Sequence, residues 1–263
     1  MKQISSYVLF GITLLGNITI DICTSIGDMI LFLSNAIKTG FTTSLKITRT
    51  IEQSQIIGVQ SLSVIILTGA SAGGVLAYQS HVGLHRFGGE QFIGPIVFIA
   101  MVREFGPMLT GIMVAGRAGS AMTAEIGSMK ITEQIDALQT LCINPFQYLV
   151  VPRILASTII LPFLSIFCSM FGILAGYIVA TKLLGVNSEV YLRTIRENVK
   201  FEDISNGLIK ATLFGFLMSW IATYKGYITT GGSKGVGIST TQSVVFACVA
   251  IFITDYIMAA FGY

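Results

Sequence analysis

An all-α integral membrane fold with five spanning helices is what this sequence predicts, and three observations predict it. Only 11% of the 263 residues are charged, against roughly 25% in soluble domains, so a water-covered surface cannot be built. The apolar residues also gather into long runs. Residues 154–181 lie uncharged between Arg153 and Lys182, and 53–80 carry no charge, while 235–254 and 211–224 are shorter. Finally, about 20 apolar residues cross a bilayer as a helix, and in lipid every backbone polar group needs an internal partner.

Taken in order, residues 1–50 interrupt apolar stretches with Asp21, Asp28, Lys38, Lys46 and Arg49. That pattern suits an N-terminal amphipathic helix in the membrane interface rather than a sixth span. It makes 1–50 a segment distinct from a transmembrane domain over 51–263. Lys2 precedes an apolar stretch at 7–15 with no small-x-small site after it, which reads as a retained helix rather than a cleaved leader. The first span covers about 56–78, and a polar connector at 79–91 holds His81, His85 and Arg86. Stretches 92–102 and 105–124, divided by Arg103-Glu104, form one long or broken span. Pro107 lacks a donor N–H and predicts a kink there. Residues 150–182 exceed one span, implying tilt or a bend at Pro162. After a charged connector at 183–207 come spans at about 208–224 and 243–261. The connectors on one side hold eight basic residues and those on the other six, too even a division to orient the chain.

Several functions are disfavoured. The net charge of +3 is scattered, with no basic block for nucleic acid. Cys23, Cys142, Cys168 and Cys248 are isolated, giving neither a disulfide framework nor a zinc motif. The glycine-rich stretch 231–237 lacks the spacing of a phosphate-binding loop, so no ATP, magnesium or other cofactor is expected on this chain. Gly69-Ala70-Ser71-Ala72-Gly73 matches a nucleophile-elbow pattern. That motif needs a strand-to-helix turn, and the stretch sits inside an apolar span. His81 and His85 lie four apart with no acidic residue between them and no cysteine or third histidine nearby, so no metal is expected.

Three features remain. Small residues recur at four-residue spacing: Gly69, Gly73, Ala77; Gly111, Ala115, Gly119; Gly172, Gly176, Ala180. Such stripes let helix backbones approach closely, as static packing or as a sliding seam. Arg103, Glu104, Arg117, Lys210 and Asp255 fall within or beside apolar runs, where a charge costs at least ~2.5–3.5 kcal/mol and usually finds a partner or a wet cavity. Lastly, Ile131, Ile135, Leu138 and Cys142 share one helical face between two spans. Thr132 is expected to cap that short helix and Asn144-Pro145 to end it. Its polar face carries Glu133, Gln134, Asp136 and Gln139.

The chain also resembles a known family. The run Arg103-Glu104-Phe105-Gly106-Pro107, then Ala115-Gly116-Arg117-Ala118-Gly119-Ser120, is similar to the core signature of MlaE-type permeases. The likeness continues through 124–138, Asn144-Pro145, 148–153 and Lys234-Gly235-Val236-Gly237, covering most of 50–263. It implies a homodimeric permease of an ATP-driven (ABC) lipid transporter. The permease would bind a separate ATPase, which holds ATP and magnesium, and a lipid-binding MCE-domain partner. Phospholipid would pass between membranes and maintain membrane asymmetry, from a bacterial inner membrane or a plastid inner envelope. The resemblance makes the helix with Glu133, Gln134 and Asp136 a cytoplasmic coupling helix, with the N-terminus inside. It puts Arg103, Glu104, Lys210 and Asp255 at the edge of a lipid cavity. The mechanism expected on that basis has the two subunits rocking at their small-residue seam, with acyl chains against the 56–78 span. Two rivals remain: a proton-coupled secondary transporter using Glu104, Lys210 and Asp255, and an intramembrane hydrolase built on Ser71.

Overall fold

A computed structural model describes residues 2–42 and 46–262, and contacts divide the chain into two units between Ser44 and Leu45. The first unit is one helix, α1 (Lys2–Thr42), of 41 residues. The charges at Asp21, Asp28 and Lys38 do not break it, since a charged side chain interrupts an apolar run without interrupting backbone hydrogen bonds.

In the second unit every described element is helical, and five helices are long and apolar enough to cross a membrane. These are α2 (Ile47–His85), α3 (Glu90–Ile131), α5 (Phe146–Leu183), α7 (Phe201–Tyr227) and α8 (Gly232–Ala260). Two shorter helices lie in the connections, α4 (Gln134–Thr140) and α6 (Ser188–Asn198). Because the five long helices alternate in direction, α4 and α6 lie at opposite ends of the bundle.

Helix α3 runs unbroken through Arg103-Glu104, bent by two widened π turns at Met101–Phe105 and Ala115–Gly119. A third opens α5 at Phe146–Val150. The first and third each end two residues before a proline, Pro107 and Pro152. A proline cannot donate to the carbonyl four residues back, and a wider turn absorbs the mismatch. The Ser169 hydroxyl donates to the Met101 carbonyl at 2.9 Å, tying α5 to this bend.

The stripe Gly69–Gly73–Ala77 faces α5 of the same chain rather than a second subunit. A Cβ on Gly73 would overlap the Gly172 backbone, and one on Gly69 would meet the Cys168 carbonyl. Backbone against backbone leaves no side chain to yield, so this seam is fixed packing, the close approach that small residues permit in membranes. The Ser71 hydroxyl donates to Leu67 O at 2.8 Å inside its own helix. No strand-to-helix turn exists there, which removes the hydrolase reading.

At the far end, Asn187 caps α6 by accepting from the Glu189 amide at 2.8 Å. Tyr191 is buried edge-on against Tyr177, with ring centroids 5.5 Å apart. That burial, with Tyr177 beside it, pushes the Tyr191 phenol up to about 12, so it stays neutral.

Candidate functional site

Lys210 on α7 is fully buried, and its ammonium lies 2.5 Å from Glu104 Oε2 on α3 and 3.3 Å from Asp255 Oδ1 on α8. Three spans therefore meet at one cation held by two carboxylates. An unpaired ammonium at this depth costs several kcal/mol, and the flanking acids offset that cost. Arg103, one residue before Glu104, points to a separate partner. Its guanidinium lies 3.5 Å from Asp203 at the start of α7 and also donates to the Gly262 carbonyl at 3.4 Å. Beside these groups is an open-sided cavity of about 490 Å³, walled by Phe92, Pro95, Ile96 and Ile99 and lined also by Arg103, Glu104 and Asn198 of α6. Its apolar wall belongs to α3, not to the 56–78 stretch of α2.

Arg117 stands apart from this cluster and, among the described residues, pairs with no acid. Its guanidinium donates to Ser61 Oγ at 2.8 Å, Gln60 Oε1 at 2.9 Å and the Ile56 carbonyl at 2.7 Å. A planar fork spends its donors on α2 here, clamping α2 to the second π turn of α3. Gly119 brings α3 against Met218, whereas a Cβ on Gly116 would meet nothing. Deeper in the same bundle, Thr123 stands 3.0 Å from the Ala222 carbonyl and 2.9 Å from Ser243 Oγ, a neutral node joining α3, α7 and α8.

The other candidate site is α4. Ile135 is fully buried against Ile126 and Leu149, with Leu138, Met129 and Tyr148 around it. One apolar side chain thus plugs the helix into the ends of α3 and α5. Glu133, Gln134, Asp136 and Gln139 are exposed. Thr132 does not cap the helix: its hydroxyl donates back to Ser128 O at 2.8 Å, inside α3. The N-cap is Glu133, in the left-handed conformation at φ 59°. Nor does Asn144-Pro145 end α4. The helix stops at Thr140, Cys142 turns the chain at φ 57°, and the Asn144 side chain accepts from Phe146 N to start α5. Non-glycine residues in left-handed backbone thus frame both ends of α4, a strain of order 1 kcal/mol each that the surroundings hold in place.

Sequence reasoning missed the groups that brace this peg. Arg153, almost fully buried, pairs with Glu125 at 2.8 Å and donates to Leu149 O at 3.0 Å. Lys130 pairs with Asp136 at 3.1 Å, and Arg49 stacks on the Tyr148 ring and donates to its hydroxyl. The available signal was opposite charge at the two ends of a helix–turn–helix hairpin, Glu125 and Arg153.

A polytopic helical protein with buried transmembrane charges and one apolar-anchored helix outside the bundle has the build of a transporter's membrane subunit. Residues 50–261 match the family model described as Permease MlaE, and the chain belongs to that family. It is 40% identical to a probable ABC transporter permease protein of Rickettsia typhi, over 93% of this chain and 95% of that one. It is 39% identical to the intermembrane phospholipid transport system permease protein MlaE of Haemophilus influenzae, over 80% and 81% of the two chains. With the chloroplastic protein trigalactosyldiacylglycerol 1 of Arabidopsis thaliana it shares 37% identity, over 81% of this chain and 61% of that one. The chain is a membrane permease subunit of the ABC-transporter kind.

Proposed function

We propose that this chain is the membrane-spanning subunit of an ATP-driven transporter that moves phospholipid between membranes, acting as a homodimer in a bacterial inner membrane. The observation that carries the lipid reading is the α3 cavity, whose lining joins an apolar wall to Arg103 and Glu104. An amphiphile suits such a wall: acyl chains against Phe92, Ile96 and Ile99, and a head group bearing charge near Arg103, Glu104 and the Lys210 cluster. The names of the Haemophilus relative and of other ABC permeases support the same reading.

Hydrolysis of ATP belongs to a separate ATPase that docks on the exposed face of α4, with Glu133, Gln134 and Asp136 as the contact. Movement of the ATPase pushes α4, and the buried Ile135 passes the push to α3 and α5 together. Because the Gly69–Gly73 seam is backbone-tight, α2 and α5 move as one body, and the cavity beside Arg103 changes shape against α7 and α8. On the opposite membrane face an MCE-domain protein receives or delivers the lipid. A proton-coupled carrier built on Glu104, Lys210 and Asp255 would instead work without any ATPase.

The test is purification of the chain from its native membrane in gentle detergent, with mass spectrometry of what comes with it. Stoichiometric ATPase, an MCE-domain protein and phospholipid are expected. A chain that is stable alone, carries no lipid and runs on a pH gradient would contradict the proposal.

A further inference from the structure

The connector that sequence reasoning set aside holds a second arrangement, at the end of the bundle away from α4. Helix α2 ends in a tight turn in which the Gly88 amide reaches the His85 carbonyl and the Gly89 amide reaches the Leu84 carbonyl. Gly88 sits at φ +64°, a backbone that glycine adopts without strain. The turn folds the chain back on itself, so Glu90, the first residue of α3, arrives beside the last turn of α2.

His81 and His85 share one face of α2, with ring centroids 5.1 Å apart, and His85 Nδ1 lies 2.5 Å from Glu90 Oε1. One ligand atom from each of His81, His85 and Glu90 falls within 4.8 Å of the others. His81 Nδ1 is buried and has no hydrogen-bond partner among the described residues. A buried ring nitrogen without a partner is costly, and such groups usually have an explanation.

We propose that His81, His85 and Glu90 form a binding site for a divalent transition-metal ion, with Zn²⁺ as the fitting ion. Two imidazoles and one carboxylate are a common zinc donor set, and three protein ligands leave a fourth position for water or for a partner's side chain. Hard cations such as calcium take more oxygen donors than the single carboxylate here. Zinc bonds of about 2.0–2.1 Å at tetrahedral angles put ligand atoms roughly 3.3 Å apart. The donors, spread over as much as 4.8 Å, therefore draw in around the ion, while His85 Nδ1 and Glu90 Oε1, 2.5 Å apart, move outward to admit it. His85 and Glu90 have that freedom, with side chains 67% and 37% exposed. A bound ion staples the end of the first span to the start of the second across a four-residue turn. It also fixes the end of α3 against which α6 packs, where Gly94 lies under the Tyr191 carbonyl and Ile195.

The test uses the full chain in detergent, with any polyhistidine tag removed and metal stripped by chelator. Zn²⁺ is titrated against a chromophoric competitor, and Co²⁺ is added separately to read coordination by visible absorption. About one Zn²⁺ per chain and tetrahedral cobalt bands are expected. His81→Ala and His85→Ala should abolish both, and Glu90→Gln should weaken zinc binding by about tenfold or more. Size-exclusion profiles check that the variants remain folded, and the exposed His85 gives the cleanest comparison. No stoichiometric zinc on the wild-type chain, or zinc binding that all three variants retain, would overturn the assignment.

Discussion

The charge cluster around Lys210 and the helix α4 both carry acidic side chains, and they use them in opposite ways. In the cluster, Glu104 and Asp255 are spent on one buried ammonium, and three spans close around it. On α4 the apolar side is the one satisfied, by Ile135, while Glu133 and Gln134 face outward. The contrast shows where each part gets its stability: the cluster from mutual neutralisation around a buried ammonium, α4 from one hydrophobic plug. It also shows where a partner can be read. Charges that consume each other hold a fold together, whereas an anchored helix with an outward polar face is built to be touched.

Substitutions at the two places should therefore differ in kind. The largest effect is expected from Lys210→Met, which leaves two carboxylates without their cation. Removing one member of a buried ion set costs about 3–5 kcal/mol, with the lower end expected here because Glu104 is partly exposed. Thermal unfolding in detergent would read it, and adding Glu104→Gln and Asp255→Asn should recover most of the loss. Ile135→Ala comes next, at about 2 kcal/mol, the low end for a large apolar side chain in a small cluster. Its signature is local: amide exchange should rise through α4 while the long helices keep their protection. Glu133→Gly should raise stability by up to about 1 kcal/mol by relieving the left-handed backbone, yet weaken ATPase docking by removing the carboxylate. The smallest stability change, within about 0.5 kcal/mol, is expected from Glu133→Lys on the exposed surface.

The number and order of the spans were legible in the sequence because hydrocarbon length and backbone pairing dictate them. Their limits were less so. The expected first span at 56–78 is the middle of a 39-residue helix, because a helix continues past the hydrocarbon into polar sequence such as Arg49, Glu52 and Gln53. Arg103-Glu104 left open whether the span was one long helix or a broken one, and α3 continues through it with a π turn at Met101–Phe105. The partners that permit this, Asp203 and Lys210, lie about a hundred residues away and depend on how α7 is rotated.

At the candidate sites, residue types were legible and pairings were not. Composition revealed intramembrane charges, but not that Arg117 would spend its donors on Ser61, Gln60 and a carbonyl rather than on an acid. The amphipathic period marked a short helix between two spans, but only Ile135 and Leu138 of its apolar face lie on α4, Ile131 belonging to α3 and Cys142 to the turn beyond. Its caps were misjudged because Thr132 bonds back into α3 and the left-handed turns fall on Glu133 and Cys142, residue types that give no warning of such backbone. The His81–His85 pair lacked a third donor in sequence because the turn that delivers Glu90 depends on Gly88.

The most direct test of the account is transfer of a labelled phospholipid between vesicles by the reconstituted permease with its ATPase and MCE-domain partner, comparing wild type with Glu133→Lys. The account predicts ATP-dependent transfer for wild type. The variant should fold normally yet transfer little, with hydrolysis that lipid no longer stimulates. Transfer by Glu133→Lys at the wild-type rate, or wild-type transfer driven by a proton gradient without ATP, would contradict it.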